Sequence, residues 1–79
     1  MTPVKDAKTR LQEYLQGKKP ELPDYVVAEV TGRQHEQVFT VACHVKGLDS
    51  PSTGSASSRK KAEQLAAADA LSNLGVSDE

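Results

Sequence analysis

The segment from Ser58 to Leu74 most constrains the fold, because its helical pattern is built largely on alanine. Apolar residues recur there at spacings of four, one and three, which is the periodicity of one face of an α-helix. The residues on this face are Ala62, Ala66, Ala67, Ala70, Leu71 and Leu74. Gly75 follows the last of them and predicts the end of the helix. Because small side chains dominate the face, the helix can lie close against a sheet.

The middle of the chain predicts a β-hairpin. Residues 25–31 are rich in β-branched side chains, and residues 38–46 alternate between apolar and polar positions. Residues 32–37 form a short polar link between them, so we expect antiparallel pairing. Cys43 lies on the apolar side of the second strand, which predicts a core thiol, and His44 lies on the other side, at the surface.

A first helix and a weak third strand complete the predicted order. Asp6 is placed to cap a helix from Ala7 to Gln16, and Gly17 is placed to end it. Residues 51–56 have room for a short strand, although their strand propensity is poor. Strands in the middle with helices at both ends predict an α+β fold, in which both helices pack on one face of an antiparallel sheet.

Composition limits the possible classes of function. The chain has 79 residues, 37% hydrophobic and 27% charged, which fits one small soluble domain. We expect this domain over residues 5–75, with a tail or linker over 1–4 and a tail over 76–79. The net charge is −1, so any anion site must depend on local placement. A single cysteine favours a cytoplasmic location, and no apolar stretch predicts contact with a membrane.

Three polar features remain once the apolar residues are assigned to the core. Four polar residues share one face of the first helix: Thr9, Gln12, Glu13 and Gln16. They are either an ordinary solvated surface or a row of donors and acceptors suited to the 2′-hydroxyls in the shallow minor groove of A-form RNA. The link between the strands carries Arg33 and His35, either as a simple polar turn or as a finger that enters a second groove.

The third feature is the start of the last helix, where Arg59, Lys60 and Lys61 are consecutive. A helix N-terminus carries partial positive charge, so each cation there is unfavourable by a few tenths of a kcal/mol. Ser58 can cap the helix and also donate to an anion. A solvated charged turn remains one interpretation. The other is that a phosphate backbone offsets the repulsion.

Together these segments resemble the double-stranded-RNA-binding domain family, and in particular the domain at the C-terminus of bacterial ribonuclease III. The resemblance covers about residues 5–74 and rests on KDAKTRLQEYLQG, LPDYVVAEVTGRQHEQVFTVACHVKGL and SSRKKAEQLAAADAL. It implies the order α-β-β-β-α, which includes the weak third strand. It also implies that the first helix contacts one minor groove, the loop with His35 contacts the next, and Arg59 and Lys60 meet the phosphates between them.

Two positions depart from the pattern that this resemblance implies. Glu63 stands where the family has a further lysine, so we expect a weaker phosphate clamp in which Lys61 is a partial substitute. Ala56 stands where a second glycine is usual, which predicts a reshaped turn if that position needs a positive φ.

These observations predict a binding module with double-stranded RNA as its partner and with no catalytic or metal-binding residues. The acidic residues are scattered, and two-metal phosphodiester cleavage requires a cluster of them. No cofactor is expected in this domain. The resemblance implies a parent ribonuclease III whose nuclease domain would use Mg²⁺ and form the homodimer, while the isolated domain stays monomeric. The alternative is a degenerate domain of the same fold that binds proteins. Three features favour it: Glu63, the low net charge, and Leu65, which lies outside the apolar face of the last helix.

Overall fold

The computed structural model describes residues 6–18 and 22–76. Its elements in chain order are α1 (Ala7–Lys18), β1 (Asp24–Thr31), β2 (Val38–His44), β3 (Ser52–Ala56) and α2 (Arg59–Asn73). The three strands form one antiparallel sheet in the order β1-β2-β3. The predicted α-β-β-β-α order and the α+β class are therefore confirmed.

The core lies between one face of the sheet and both helices. Leu11 of α1 packs in the same cluster as Val41 and Cys43 of β2, and all three are fully buried. The contribution of α2 is the predicted stripe: Ala62, Ala66, Ala67, Ala70 and Leu71 are buried, and Leu74 is partly buried. The predicted core thiol is also confirmed, and burial raises the pKa of Cys43.

Gly54 explains why β3 forms despite its weak strand propensity. The strand lies so close to α2 that a Cβ built on Gly54 would be 2.6 Å from the carbonyl oxygen of Ala62 and 2.6 Å from the Cβ of Leu65. It would also meet the backbone nitrogen of Ala66. Glycine in the strand and alanine on the helix therefore allow a close approach, and this packing holds the strand in place.

Side chains of α2 also cover the free edge of β3. The backbone N–H of Thr53 donates to Oδ2 of Asp69 at 3.0 Å. Nδ2 of Asn73 donates to Oγ of Ser52 at 3.0 Å, and Ser52 is fully buried. Edge strands expose backbone groups that can pair with other chains, and the bond to Asp69 occupies one of these groups. The bond from Asn73 joins two side chains and ties β3 to the end of α2.

The predicted N-terminal caps of both helices are present. The backbone N–H of Thr9 donates to Oδ1 of Asp6 at 2.8 Å, and that of Lys61 donates to Oγ of Ser58 at 3.2 Å. Each bond satisfies an amide that has no partner inside its helix. Hydrogen bonds from the Thr9 hydroxyl and backbone N–H also lower the pKa of Asp6.

The C-terminal ends differ from each other. Gly75 closes α2 as predicted, with a φ of 79° and a 3.0 Å hydrogen bond from its N–H to the carbonyl of Ser72. The expectation that Gly17 ends α1 is wrong, because the helix continues to Lys18 and Gly17 does not take a positive φ. Glycine weakens a helix interior by about 1 kcal/mol relative to alanine, which neighbouring packing can offset.

Candidate nucleic-acid interface

Strand register brings the β1–β2 loop and the start of α2 to the same end of the sheet. Phe39 of β2 pairs with Val30 on one side and with Ala56 on the other. The loop follows β1 immediately, and Arg59 begins α2 three residues after Ala56. Two of the three polar features therefore lie near each other. Ala56 ends β3 without a positive φ, so alanine is not strained at this position.

The loop itself is a tight and fully exposed turn. Gly32 has a φ of 92°, and a Cβ on it would collide with the carbonyl oxygen of Glu36. The backbone N–H of Glu36 donates to the carbonyl of Arg33 at 2.8 Å, which closes the turn. Arg33 and His35 are both exposed, so the turn presents a cation and an imidazole to solvent.

The polar face of α1 is exposed along its length. Leu11 and Leu15 face the core, and the predicted polar residues occupy the other side. All four are exposed: Thr9, Gln12, Glu13 and Gln16. Thr9 also has a structural role, because its hydroxyl and backbone N–H both bond to the capping carboxylate of Asp6.

Three exposed cations surround the N-terminus of α2, as the sequence predicted. Ser58 uses its Oγ as the cap acceptor, and its hydroxyl proton is not needed for that bond. Lys60 and Lys61 are exposed and form no ion pair within residues 6–18 and 22–76. Arg59 differs, because its Nε donates to Oε2 of Glu63 at 3.0 Å. We call residues 58–61 the clamp.

Glu63 accepts hydrogen bonds from a side chain of each helix. The sequence did not predict this arrangement. Oε1 of Glu63 accepts from Nζ of Lys8 at 2.6 Å, while Oε2 accepts from Arg59. Nζ of Lys8 also lies 5.0 Å from the centre of the Tyr25 ring. The backbone N–H of Lys8 donates to Oε1 of Gln64 at 3.2 Å. These contacts fix the start of α1 beside the start of α2. The polar face of α1 is thereby held next to the clamp.

The two cations set the protonation behaviour of Glu63. Its side chain is only 14% exposed. Hydrogen bonds from Lys8 and then from Arg59 hold the pKa of this carboxyl below its ordinary value of 4.5. A carboxyl with a lowered pKa in the folded state stabilises the fold above the unfolded-state pKa, and this stabilisation is lost as pH falls through the folded-state pKa.

Glu63→Gln is therefore expected to lower the melting temperature near neutral pH, and the difference from the parent should shrink below pH 4.5. Thermal unfolding followed by circular dichroism from about pH 7 to about pH 3 measures this. Glu29→Gln is the matched control, since Glu29 is exposed on β1. A difference that stays constant over the whole pH range would contradict the ion-pair explanation.

A family model described as the double-stranded RNA binding motif matches residues 7–74, a span that includes both helices and all three strands. The chain belongs to the double-stranded RNA binding motif family. The motif supports double-stranded RNA binding as the function and double-stranded RNA as the partner.

Among residues 6–18 and 22–76 there is no cluster of three or more His, Cys, Asp or Glu side chains that could hold a metal ion. In the same part of the chain, neither helix has the length and apolar character needed to cross a bilayer.

Proposed function

We propose that the motif binds duplex RNA through three surfaces that follow one another along the duplex. The polar face of α1 occupies one minor groove, the β1–β2 loop occupies the next, and the clamp lies on the phosphates of the major groove between them. The proposed contacts are Thr9, Gln12, Glu13, Gln16, Arg33, His35, Ser58, Arg59, Lys60 and Lys61. Such a module spans about 16 base pairs and recognises shape more than sequence.

The position of the clamp is the observation that carries this proposal. The ion pairs of Glu63 with Lys8 and Arg59 join the clamp to the start of α1. The pairing of Phe39 with Val30 and Ala56 places the loop at the same end of the sheet. The clamp is therefore linked to the start of α1 and lies at the end of the sheet that carries the loop, which supports an alternation of minor, major and minor grooves.

A titration of an RNA duplex of about 20 base pairs tests the proposal, because this length accommodates one module. We expect RNA to bind more tightly than a DNA duplex of matching sequence, and the affinity to fall steeply as salt rises. A second RNA duplex of unrelated sequence should bind about equally. Equal affinity for RNA and DNA, or no binding of either at low salt, would contradict the proposal.

We further propose that the chain is the substrate-binding domain of a ribonuclease III. The resemblance over about residues 5–74 supports this parent enzyme. In it, the motif would hold the duplex against a homodimeric nuclease domain whose Mg²⁺ lies outside this chain, and the isolated domain would be a monomer. The cytoplasm is the location expected for such an enzyme. The proposed parent enzyme would be contradicted by a coding region that joins the motif to a domain other than a nuclease domain with clustered acidic residues.

Protein binding is the second candidate, and exposed apolar side chains favour it. Leu65 on α2 is 49% exposed. Val26 and Val38, at 44% and 42%, lie on the sheet face that is turned away from the helices. Sedimentation over a range of concentrations distinguishes the two functions. A mass that rises with concentration, together with RNA affinity that does not depend on salt, would favour protein contacts.

A further inference from the structure

One carboxylate lies within the cationic surface that is proposed to bind phosphate. Glu63 is one helical turn after Arg59, and both of its oxygens accept hydrogen bonds from cations. Its side chain is only 14% exposed, so most of it is shielded from bulk solvent. Charge pairs that are shielded from water are screened less by salt than exposed ones are. An acidic group next to the clamp is therefore already paired with one of the cations of the clamp.

We propose that Glu63 is an affinity-limiting residue that competes with RNA phosphate for Arg59. The inference rests on the proposed RNA-binding surface. Glu63 holds the Nε of Arg59 and lowers the positive potential where the phosphates lie. Lys60 and Lys61, which form no ion pair within the described residues, then supply most of the phosphate binding. Arg59 contributes fully only when the carboxylate is removed.

The competition is a matter of geometry and charge. A guanidinium has five N–H donors, and Arg59 commits the one on Nε to Glu63. Its terminal nitrogens can still approach a phosphate, but the phosphate then meets the negative charge of Glu63 nearby. Two like charges about 4 Å apart repel by about 1 kcal/mol even in water, which is close to a fivefold change in affinity. The effect is therefore large enough to measure.

Glu63→Gln tests the proposal, because it keeps the shape of the side chain and removes its charge. The bond from the Lys8 backbone N–H to Gln64 does not depend on Glu63 and still joins the start of α1 to α2. We expect RNA affinity at low salt to rise by about threefold to tenfold. The slope of log affinity against log salt should steepen by up to about one, since Arg59 becomes available to an additional phosphate. Glu29→Gln makes the same change of net charge on β1 and should alter affinity by less than about twofold.

Arg59→Ala in both backgrounds completes a double-mutant cycle. We expect it to lower RNA affinity by less than about threefold when Glu63 is present and by about tenfold when glutamine replaces it. A purely structural role of Glu63 would not produce this coupling. The melting temperatures of all variants verify that each one is folded at the temperature of the titration.

The outcomes separate this inference from the proposed function. If the parent binds RNA and Glu63→Gln leaves its affinity unchanged or lowers it, the inference is overturned and the RNA-binding proposal stands. An Arg59→Ala effect of equal size in both backgrounds would overturn it as well. If neither the parent nor Glu63→Gln binds RNA at low salt, the proposed function fails and the inference fails with it.

Discussion

Replacing Gly54 with alanine is expected to lower the free energy of unfolding by about 3 kcal/mol or more. The added Cβ would lie 2.6 Å from the carbonyl oxygen of Ala62, and it would also meet the backbone nitrogen of Ala66. Backbone atoms of a helix cannot move aside as the end of a flexible side chain can, so β3 and α2 must separate. A domain of this size has a total stability of only about 4 to 12 kcal/mol, so the loss is a large fraction of it.

Urea unfolding followed by circular dichroism measures this loss. Gly17→Ala is the matched control, because a Cβ on Gly17 in α1 meets nothing within 4 Å and its φ is not positive. The control should raise stability by up to about 1 kcal/mol, since alanine is the better helix former. A Gly54→Ala protein whose stability lies within about 1 kcal/mol of the parent would show that β3 can move away from α2 at little cost.

The same contact matters for the proposed interface. Only residues 57 and 58 separate β3 from α2, so the packing of Gly54 against α2 fixes where the clamp begins. A variant in which β3 moves would shift the clamp relative to the β1–β2 loop. Gly54 is not a proposed RNA contact, but its packing against α2 determines the position of the residues that are.

The type and order of most elements could be predicted from local periodicity. The alternating residues of β2 and the alanine stripe of α2 specify which side faces the core, and the structure buries those sides. The capping residues Asp6 and Ser58 were also predictable, because capping depends on neighbours within one turn. The end of α1 was not predicted correctly, because Gly17 lowers helix propensity without preventing the helix from continuing to Lys18.

The third strand shows what local sequence cannot provide. Its residues have poor strand propensity, and the family resemblance, rather than their own pattern, favoured it. In the structure, Gly54 fits beneath Ala62 and Ala66, and the side chains of Asp69 and Asn73 bond to the strand. These partners lie on a helix that comes later in the chain. The stabilisation of β3 is thus tertiary and is invisible to a propensity scale.

The candidate site also has some features that the sequence predicts and one that only tertiary packing produces. The exposed polar face of α1 and the cationic turn of α2 follow from helical periodicity, so they were predictable. The spacing of four residues between Arg59 and Glu63 was also a usable signal for an ion pair. Lys8 carried no such signal, because its partner Glu63 is 55 residues away. Only the packing of α1 against α2 brings these two residues together.

A second large effect is expected for the Lys60→Ala and Lys61→Ala double variant. Its RNA affinity at low salt should fall by about tenfold to a hundredfold, because two phosphate contacts are removed. The salt dependence should become shallower by up to about two in the slope of log affinity against log salt. Both side chains are exposed, so the melting temperature should change little.

The control for this variant must remove a lysine without touching the proposed interface. Lys46 is exposed beyond the end of β2 that lies away from the loop, and Lys46→Ala should alter RNA affinity by less than about twofold. At high salt the RNA affinities of the double variant and the parent should become similar, because the binding contribution that the variant lacks is electrostatic. A double variant that binds like the parent at low salt would place the phosphate contacts elsewhere. Exposed Leu65 on α2, and the exposed Val26 and Val38 on the opposite side of the sheet, would then be two surfaces to test with protein partners.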